Sequence, residues 1–467
     1  MTREDLRDFY HSTAGTRQKW RARNRFYHDL LERYFKLMIP DDQRVLEIGC
    51  GTGELLHAMK PRYGLGIDFS SSIIELARQK FPGLEFLVQD AETMKIGGKF
   101  DYIILSDLVC SLWDVQQVFQ NIRGLCEPHT RIIISNYSFL WEPVMKFGEF
   151  LHIKQKQPYQ NWLSADDLTT LLELTGFQKV TLQRHILFPK YLPIFNLLLN
   201  RFLVHLPLIN HLAMINLIVA RPAAEEEKDY KVSIIVPARN ESGNIENAIL
   251  RTPAFGSSVE FIFVEGHSSD NTWEEMLRVQ AAYPGKDIRV MRQGGKGKGN
   301  AVREGFEAAH GEVLMILDAD LTTPPEDLPK FYHALARNSG EFINGCRLVY
   351  PMEKEAMRFL NYLANKFFGL FFTYLLGQRI KDTLCGTKVL FASDYRRINQ
   401  NRSYFGDFDP FGDFDLLFGA AKLNLKITEI IVHYKDREYG TTQISRFKHG
   451  WLLVKMSLFA ARKIKFR

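Results

Sequence analysis

Cysteine is scarce in this 467-residue chain. Its five cysteines, Cys50, Cys110, Cys126, Cys346 and Cys385, are odd in number and scattered, with no C-x-x-C pair. That excludes a disulfide scaffold and a thiolate zinc site, and it points to a reducing compartment. An apolar leader is lacking as well: Met1-Thr2-Arg3-Glu4-Asp5 is charged, so the expectation is a cytoplasmic chain with no secretory signal. No internal repeat and no long low-complexity segment is found. A large charge excess is also missing, and a net charge of +6 over this length does not ask for nucleic acid. With 46% apolar and 24% charged residues the composition is globular and excludes disorder. Finally, no segment reads as convincingly bilayer-spanning. Ile186 to Ala220 is unusually apolar, but His205, Pro207, Asn210, His211 and Asn216 are poor tenants of a hydrocarbon core. That stretch reads as a lid or interfacial helix near Leu192–Val204, followed by a closing strand from Met214.

What is present is two α/β patterns in tandem. The length suggests two to three domains at roughly 150 residues each. Short Val/Ile/Leu-rich runs alternate with helical-period stretches at 44–48, 63–67, 85–88, 101–105 and 131–135, and again at 232–236, 259–264, 288–291 and 313–317. Such alternation predicts βαβ units on mainly parallel sheets, that is, two Rossmann-like domains. A short acidic stretch, Glu225-Glu226-Glu227, lies between two buried runs, where linkers usually lie. The expected division is a first domain over 1–222, a linker over 223–230, a second domain over 231–445 and a basic amphipathic helix over 446–467.

Each half carries a motif at a strand end. In the first, Glu47-Ile48-Gly49-Cys50-Gly51-Thr52-Gly53 follows a strand and opens a helix, so the backbone can turn sharply beneath a ligand. Asp68 ends the next strand, where an acid can accept both hydroxyls of a ribose, and Asp90-Ala91-Glu92 ends the third, where an acid can take an adenine amine. The Gly-x-Gly-x-Gly spacing differs from the dinucleotide fingerprint, and a carboxylate at Glu47 suits a cationic cofactor better than a pyrophosphate. On these residues the chain resembles the class I S-adenosylmethionine-dependent methyltransferases over roughly residues 20–221. The resemblance implies that Glu47, Gly49, Gly51 and Gly53 wrap the methionine end of S-adenosyl-L-methionine. Asp68 would then take the ribose, Asp90 and Ala91 the adenine, and Ser106 with Asp107 would face the methyl donor. His152, His185, Tyr137, Trp141 and Trp162 are candidates for the acceptor pocket, with no general base among them.

In the second half three strand ends carry polar loops: Pro237-Ala238-Arg239-Asn240-Glu241, Glu265-Gly266-His267-Ser268, and Leu317-Asp318-Ala319-Asp320. An Asp-x-Asp at such a point offers hard oxygens to Mg²⁺ or Mn²⁺, with substrate phosphates completing the shell. With Gly294-Gly295-Lys296-Gly297-Lys298-Gly299, Asn344-Gly345-Cys346-Arg347 and Asp382-Thr383-Leu384-Cys385-Gly386-Thr387-Lys388, this set resembles family-2 glycosyltransferases of the GT-A fold over roughly 230–445. It lies closest to the branch that glycosylates polyprenyl or dolichyl phosphates. The resemblance implies that Pro237, Ala238, Glu241 and Glu265 hold base and ribose, and that Lys298 lies on the phosphate and sugar side. Asp320 would hold the metal, Asp318 would support ribose or metal, and Asp413 and Asp415 would supply the acceptor-side carboxylate. Asp320, Asp413 and Asp415 are therefore the catalytic candidates, and Arg347, Lys388 and Arg437 could clamp an acceptor phosphate. Two departures stand out: Glu265-Gly266-His267-Ser268 replaces the family's Asp-Asp-Gly-Ser, and Gln443 stands where that branch more often has Lys.

From Arg446 to Arg467 there are seven Lys/Arg and no acid, a pattern that suits an anionic membrane surface at on the order of 1 kcal/mol per basic residue. The expectation is a bifunctional transferase on the inner face of the cell membrane. It would move a sugar, with metal and inversion, from a nucleotide-sugar donor to polyprenyl phosphate or a glycan, and methylate a glycan or lipid-linked intermediate. The alternative is a chain-extending glycosyltransferase with a hydroxyl acceptor and a non-catalytic cofactor-binding module.

Overall fold

The computed structural model describes residue 9 and residues 19–154, 160–223, 228–348, 359–402, 412–432, 434–435, 439 and 446–465. The chain forms two compact units, Met1–Ala223 with Lys465–Arg467, and Ala224–Ile464.

The first unit begins with helix α1 (Arg25–Met38), which buries Leu30, Leu31, Phe35 and Met38 along one stripe. There follow β1 (Arg44–Ile48), α2 (Glu54–Ala58), β2 (Tyr63–Asp68), α3 (Ser71–Lys80), β3 (Glu85–Val88), β4 (Phe100–Ser106), α4 (Val115–Arg123), β5 (Cys126–Tyr137), α5 (Glu142–Phe150), α6 (Ala165–Leu174), β6 (Phe177–His185) and β7 (Ile215–Pro222). The sheet order is β3-β2-β1-β4-β5-β7-β6. β1 to β5 are parallel, and β7 runs antiparallel to both β5 and β6. β1, β2 and β4 are largely buried on both faces, as their near-continuous apolar runs require, while β3 at the edge leaves Glu85 and Val88 exposed. Val45, Ile104 and Ile133 face one core, while Leu46, Ile103 and Ile132 face the other. Helix α6 starts at a reciprocal capping box, with Ser164 and Asp167 each satisfying the other's backbone N–H.

The second unit repeats the principle with β8 (Lys231–Ala238), α7 (Ile245–Leu250), β9 (Ser258–Glu265), α8 (Thr272–Ala282), β10 (Asp287–Arg292), α9 (Lys298–Ala308), β11 (Val313–Ile316), α10 (Leu328–Ala336), β12 (Phe342–Cys346), α11 (Phe359–Leu376), β13 (Lys388–Phe391), α12 (Ala392–Gln400), α13 (Asp413–Lys422), β14 (Ile427–Ile431) and α14 (Arg446–Ile464). Its sheet order is β10-β9-β8-β11-β13-β12-β14, with β13 antiparallel to both neighbours. Both sheets are thus parallel at the centre and mixed toward one side. In each the strand order reverses next to the first strand, between β1 and β4 and between β8 and β11. A crevice opens beyond the carboxyl ends of strands at such a point.

The strand runs read from sequence lie within these strands or overrun them by one residue. In place of a regular helix near Leu192–Val204, a π-helical turn over Leu197–Phe202 leads into a 3₁₀ turn at Leu203–His205. Among the described residues no helix is long and apolar enough to cross a membrane.

Candidate active sites

In the first unit the chain turns at the end of β1 through Gly49, Gly51 and Gly53, all at positive φ. A side chain at Gly49 is barred twice: φ is 71°, and a Cβ would lie 2.7 Å from Leu108 Cδ1. The turn brings the Gly51 N–H to the Asp68 carboxylate at 3.1 Å, and the other Asp68 oxygen accepts from the Ser70 N–H at 3.0 Å. Glu47 is buried and accepts from the Leu56 N–H at 2.9 Å. These residues border a cavity of about 330 Å³ lined by Glu47, Gly49, Asp68, Asp90, Ala91 and Ser106 among others. Gly51 and Gly53 shape the turn without lining the cavity.

At the β4 end of the cavity sits Asp107, held at φ 53°. Its carboxylate accepts from Tyr27 Oη at 2.5 Å, from Ser135 Oγ at 2.7 Å and from Tyr137 Oη at 3.3 Å. Burial pushes the Asp107 carboxyl above the usual range, and the three hydroxyls only partly offset that. Burial, then the Asp107 charge, raises both tyrosines well above their usual value. Cys110, also on the wall, is pushed up to about 12 by burial and by Asp107, so it is a thiol and no nucleophile at neutral pH. A carboxyl raised by burial, with two phenols and a hydroxyl aimed at it, is placed to take a proton.

Of the five residues expected around an acceptor, only Tyr137 lines the cavity. His185 is buried and stacked on Tyr34 with ring centroids 3.9 Å apart, and Trp141 Nε1 donates to the Leu212 carbonyl at 2.8 Å. The His152 carbonyl accepts from Arg23 at 3.0 Å, and Trp162 is likewise absent from the wall. Tyr27, Ser135 and Lys154 were not anticipated. Tyr27 lies 80 residues from Asp107 on a helix that precedes the first strand, so no local motif could flag it.

In the second unit Pro237 and Ala238 end β8, and Glu265 pairs in register with Ala238 at the end of β9. The Glu265 carboxylate accepts from the Ser268 N–H at 2.5 Å. His267 takes a left-handed backbone, φ 58°, and its Nε2 lies 2.9 Å from the Gly295 carbonyl oxygen. The unusual Glu-Gly-His-Ser thus ties the β9 loop to the glycine-rich segment. Glu241 is buried, accepting from Asn244 Nδ2 at 2.9 Å while its N–H donates to Thr272 Oγ1 at 3.0 Å.

The third strand end is the most highly charged. Lys298, the first residue of α9, lies 2.5 Å from Asp318. Burial lowers its pKa, but the charges of Asp318, Asp413 and Asp320 outweigh burial and hold the ammonium well above its usual range. Burial likewise pushes Asp318 up, and Lys298, Lys388 and Arg347 together bring it below the usual carboxylate range. Gly386 presses on this pair: a Cβ there would lie 2.0 Å from Asp318 Oδ2 and 2.5 Å from Lys298 Nζ, so a side chain would displace the pair. Asp320 accepts from the Thr322 N–H at 3.2 Å and from its hydroxyl at 2.8 Å.

Two of the three expected phosphate clamps are already matched. Arg347 grips Asp382 through Nε at 2.7 Å and through its second nitrogen at 2.9 Å, and Asn365 of α11 adds 2.8 Å. Burial raises the Asp382 carboxyl, but Arg347 outweighs it and holds the group at about 2. Lys388 is fully buried, 2.9 Å from Asp413, and donates to the Cys385 carbonyl. Asp415 pairs with Arg402 at 3.3 Å. Arg437 lies outside the described residues, as does Gln443. Tyr439, not anticipated as a contact, places its hydroxyl 3.0 Å from Ser242 Oγ, closing the loop after β8. Among the described residues no group of three metal-ligating side chains is present.

Comparison with known proteins bears on both halves. Residues 19–182 match the family model described as a methyltransferase domain, and residues 233–399 match that of glycosyl transferase family 2. The chain is 36% identical over 138 residues to a dolichol-phosphate mannosyltransferase of Pyrococcus furiosus, covering 29% of this chain and 38% of that protein. It is 28% identical over 234 residues to an undecaprenyl-phosphate 4-deoxy-4-formamido-L-arabinose transferase of Yersinia enterocolitica, covering 48% and 66%. The chain therefore spans between 38% and 66% of the length of these two curated relatives. A solved S-adenosylmethionine-dependent methyltransferase of Thermotoga maritima covers 46% of this chain and 99% of its own, at 17% identity and a TM-score of 0.37. The first half of the chain thus matches a methyltransferase domain and the second half a family 2 glycosyltransferase domain.

Proposed function

We propose that the first unit binds S-adenosyl-L-methionine and methylates a glycan or lipid-linked intermediate. The second would transfer a sugar, with inversion, from a nucleotide sugar to a polyprenyl phosphate. The observation that carries this reading is the gathering of acids and glycines at the switch point of each sheet. In the first unit, Asp68 and Asp90 suit ribose and adenine, and Glu47 suits a cation. The cofactor would supply a methyl group on a sulfonium, a good leaving group. Tyr27, Ser135 and Tyr137 fix Asp107, which would receive the proton lost by an acceptor hydroxyl.

In the second unit Asp320 would hold a divalent cation together with the donor's own phosphate oxygens, since Asp318 is already matched by Lys298. That cation would neutralise charge on the departing diphosphate, and Lys298 would add a fixed positive charge beside it. A phosphate acceptor is anionic near neutral pH and needs little help from a base, whereas a sugar hydroxyl does. Asp413 and Asp415 are each engaged by a buried or half-buried cation, which favours the phosphate acceptor over the hydroxyl one. Names of relatives that act on dolichol phosphate and undecaprenyl phosphate support the same choice. Helix α14, with Lys455 and Leu458 outward, supports attachment to the cytoplasmic face of a membrane.

The test is release of nucleoside diphosphate from a panel of nucleotide sugars with Mg²⁺ or Mn²⁺, with and without polyprenyl phosphate. Release that needs lipid, metal and Asp320 is expected. Turnover with glycan hydroxyls alone would overturn the lipid-phosphate reading.

A further inference from the structure

The first unit shows an apolar surface that its core does not use. Of the 25 large apolar side chains exposed among the described residues, 16 fall in two stretches, 139–153 and 191–212. Phe150 is 76% exposed, Ile194 82% and Leu208 87%, and Phe147, Phe195 and Leu212 stand out beside them. Scattered surface apolars need no explanation, but a concentration of this kind marks an interaction site.

The two stretches form one face. Trp141 Nε1 in the first donates to the Leu212 carbonyl in the second. The start of α1 ties them together again: Arg23 donates to the His152 carbonyl, while Lys190 donates to Asn24 Oδ1 at 2.6 Å and Phe26 meets Tyr191 edge to face. The face also adjoins the cavity, because the first stretch leaves the wall just after Tyr137 and returns to it at Lys154.

Its charge selects the occupant. From 190 to 212 the chain has no acid but has Lys190 and the exposed Arg201. In the other stretch Glu142 is matched by Lys146 and Glu149 by Lys154, both at 2.5 Å. Lys19, Arg23 and Arg25 add a basic rim at the start of α1. Exposed aromatic and aliphatic side chains, edged by lysine and arginine with no unmatched acid, complement an anionic lipid surface. Pro193 and Pro207 interrupt the second stretch, and among the described residues no helix is long and apolar enough to cross a membrane.

We propose that this face seats the methyltransferase unit on an anionic membrane surface and presents its cavity to lipid head groups. The corollary, that the methyl acceptor is an amphiphile anchored in that membrane, rests on the methyl-transfer reading above.

Hydrogen exchange of the full chain, read by mass spectrometry, tests it with vesicles of phosphatidylcholine mixed with phosphatidylglycerol. Peptides covering 139–153 and 191–212 should slow several-fold on vesicle addition and less with phosphatidylcholine alone, while β1 to β5 stay unchanged. A chain that binds vesicles with those peptides unchanged, or that binds none, overturns the proposal. Slowing that grows with protein concentration in the absence of vesicles overturns it in favour of a second copy. A parallel arm with S-adenosyl-L-methionine reads peptides around Glu47 and Asp68. No protection there would sink the methyl-transfer reading and leave the docking face standing. Phe150→Ser with Ile194→Ser should weaken vesicle binding several-fold while keeping the cofactor arm intact; unchanged binding counts against the face.

Discussion

Beside the cavity of the first unit, burial pushes the Asp107 carboxyl up and leaves it among neutral hydroxyls. In the second unit the half-buried Asp318 and the fully buried Asp382 are held down by Lys298 and Arg347. The two sheets share a parallel core and a reversal of strand order beside their first strand. Their sites are placed alike but hold their acids differently, by hydroxyls at Asp107 and by cations at Asp318 and Asp382. A site for proton transfer gains from an acid held by neutral groups. A site for a diphosphate gains from fixed positive charge held in place by buried carboxylates. Topology chose the location, and the residues at the strand ends chose the chemistry.

The comparison can be broken most sharply at Asp320. Replacing it with alanine should cut lipid-dependent release of nucleoside diphosphate by about 10³-fold, as loss of a charge-stabilising group does, while cofactor binding to the first unit is untouched. Next comes Asp382→Asn, which leaves Arg347 buried without its carboxylate and should destabilise the second unit by about 3 kcal/mol in urea at neutral pH. Because the folded pKa of Asp382 is about 2, below its unfolded value, its contribution is complete above about pH 4. That contribution should fade as pH falls from about 4 toward 2, so wild-type and variant stabilities should converge in an acid titration.

Asp107→Asn should slow methyl transfer by about 10²-fold. Since burial raises the Asp107 pKa, the base form is depleted as pH falls. The wild-type rate should therefore rise with pH above the ordinary carboxylate range, and the Asn variant should lose that limb. The smallest effect expected is for Asp68→Ala, a loss of about tenfold in cofactor affinity, or about 1.4 kcal/mol, measured by calorimetry.

Much of this was legible where the signal is local. The glycine turn after β1 and the acids ending β2, β9 and β11 sit within a few residues of apolar runs, and the structure places each at a strand end. What escaped is long-range. The Tyr27–Asp107 contact spans 80 residues, and Arg347–Asp382 spans 35. Single charged residues read as phosphate clamps for that reason, because their partners are brought in by the fold. β6 was missed because Phe177-Gln178-Lys179-Val180-Thr181-Leu182-Gln183 mixes polar and apolar residues with few fully buried, as an edge strand can. The exposed face over 139–212 was read only as apolar sequence. Its outward orientation depends on a core that β5 and β7 had already filled.

The most direct test of two separate sites is one set of calorimetric titrations on the full chain. S-adenosyl-L-methionine and a nucleoside diphosphate with Mn²⁺ would each be titrated into wild type, Asp68→Ala and Asp320→Ala. The account predicts that Asp68→Ala weakens only the first ligand and Asp320→Ala only the second. If wild type fails to bind either ligand, or if one substitution weakens both, the account of two independent transferase sites is contradicted.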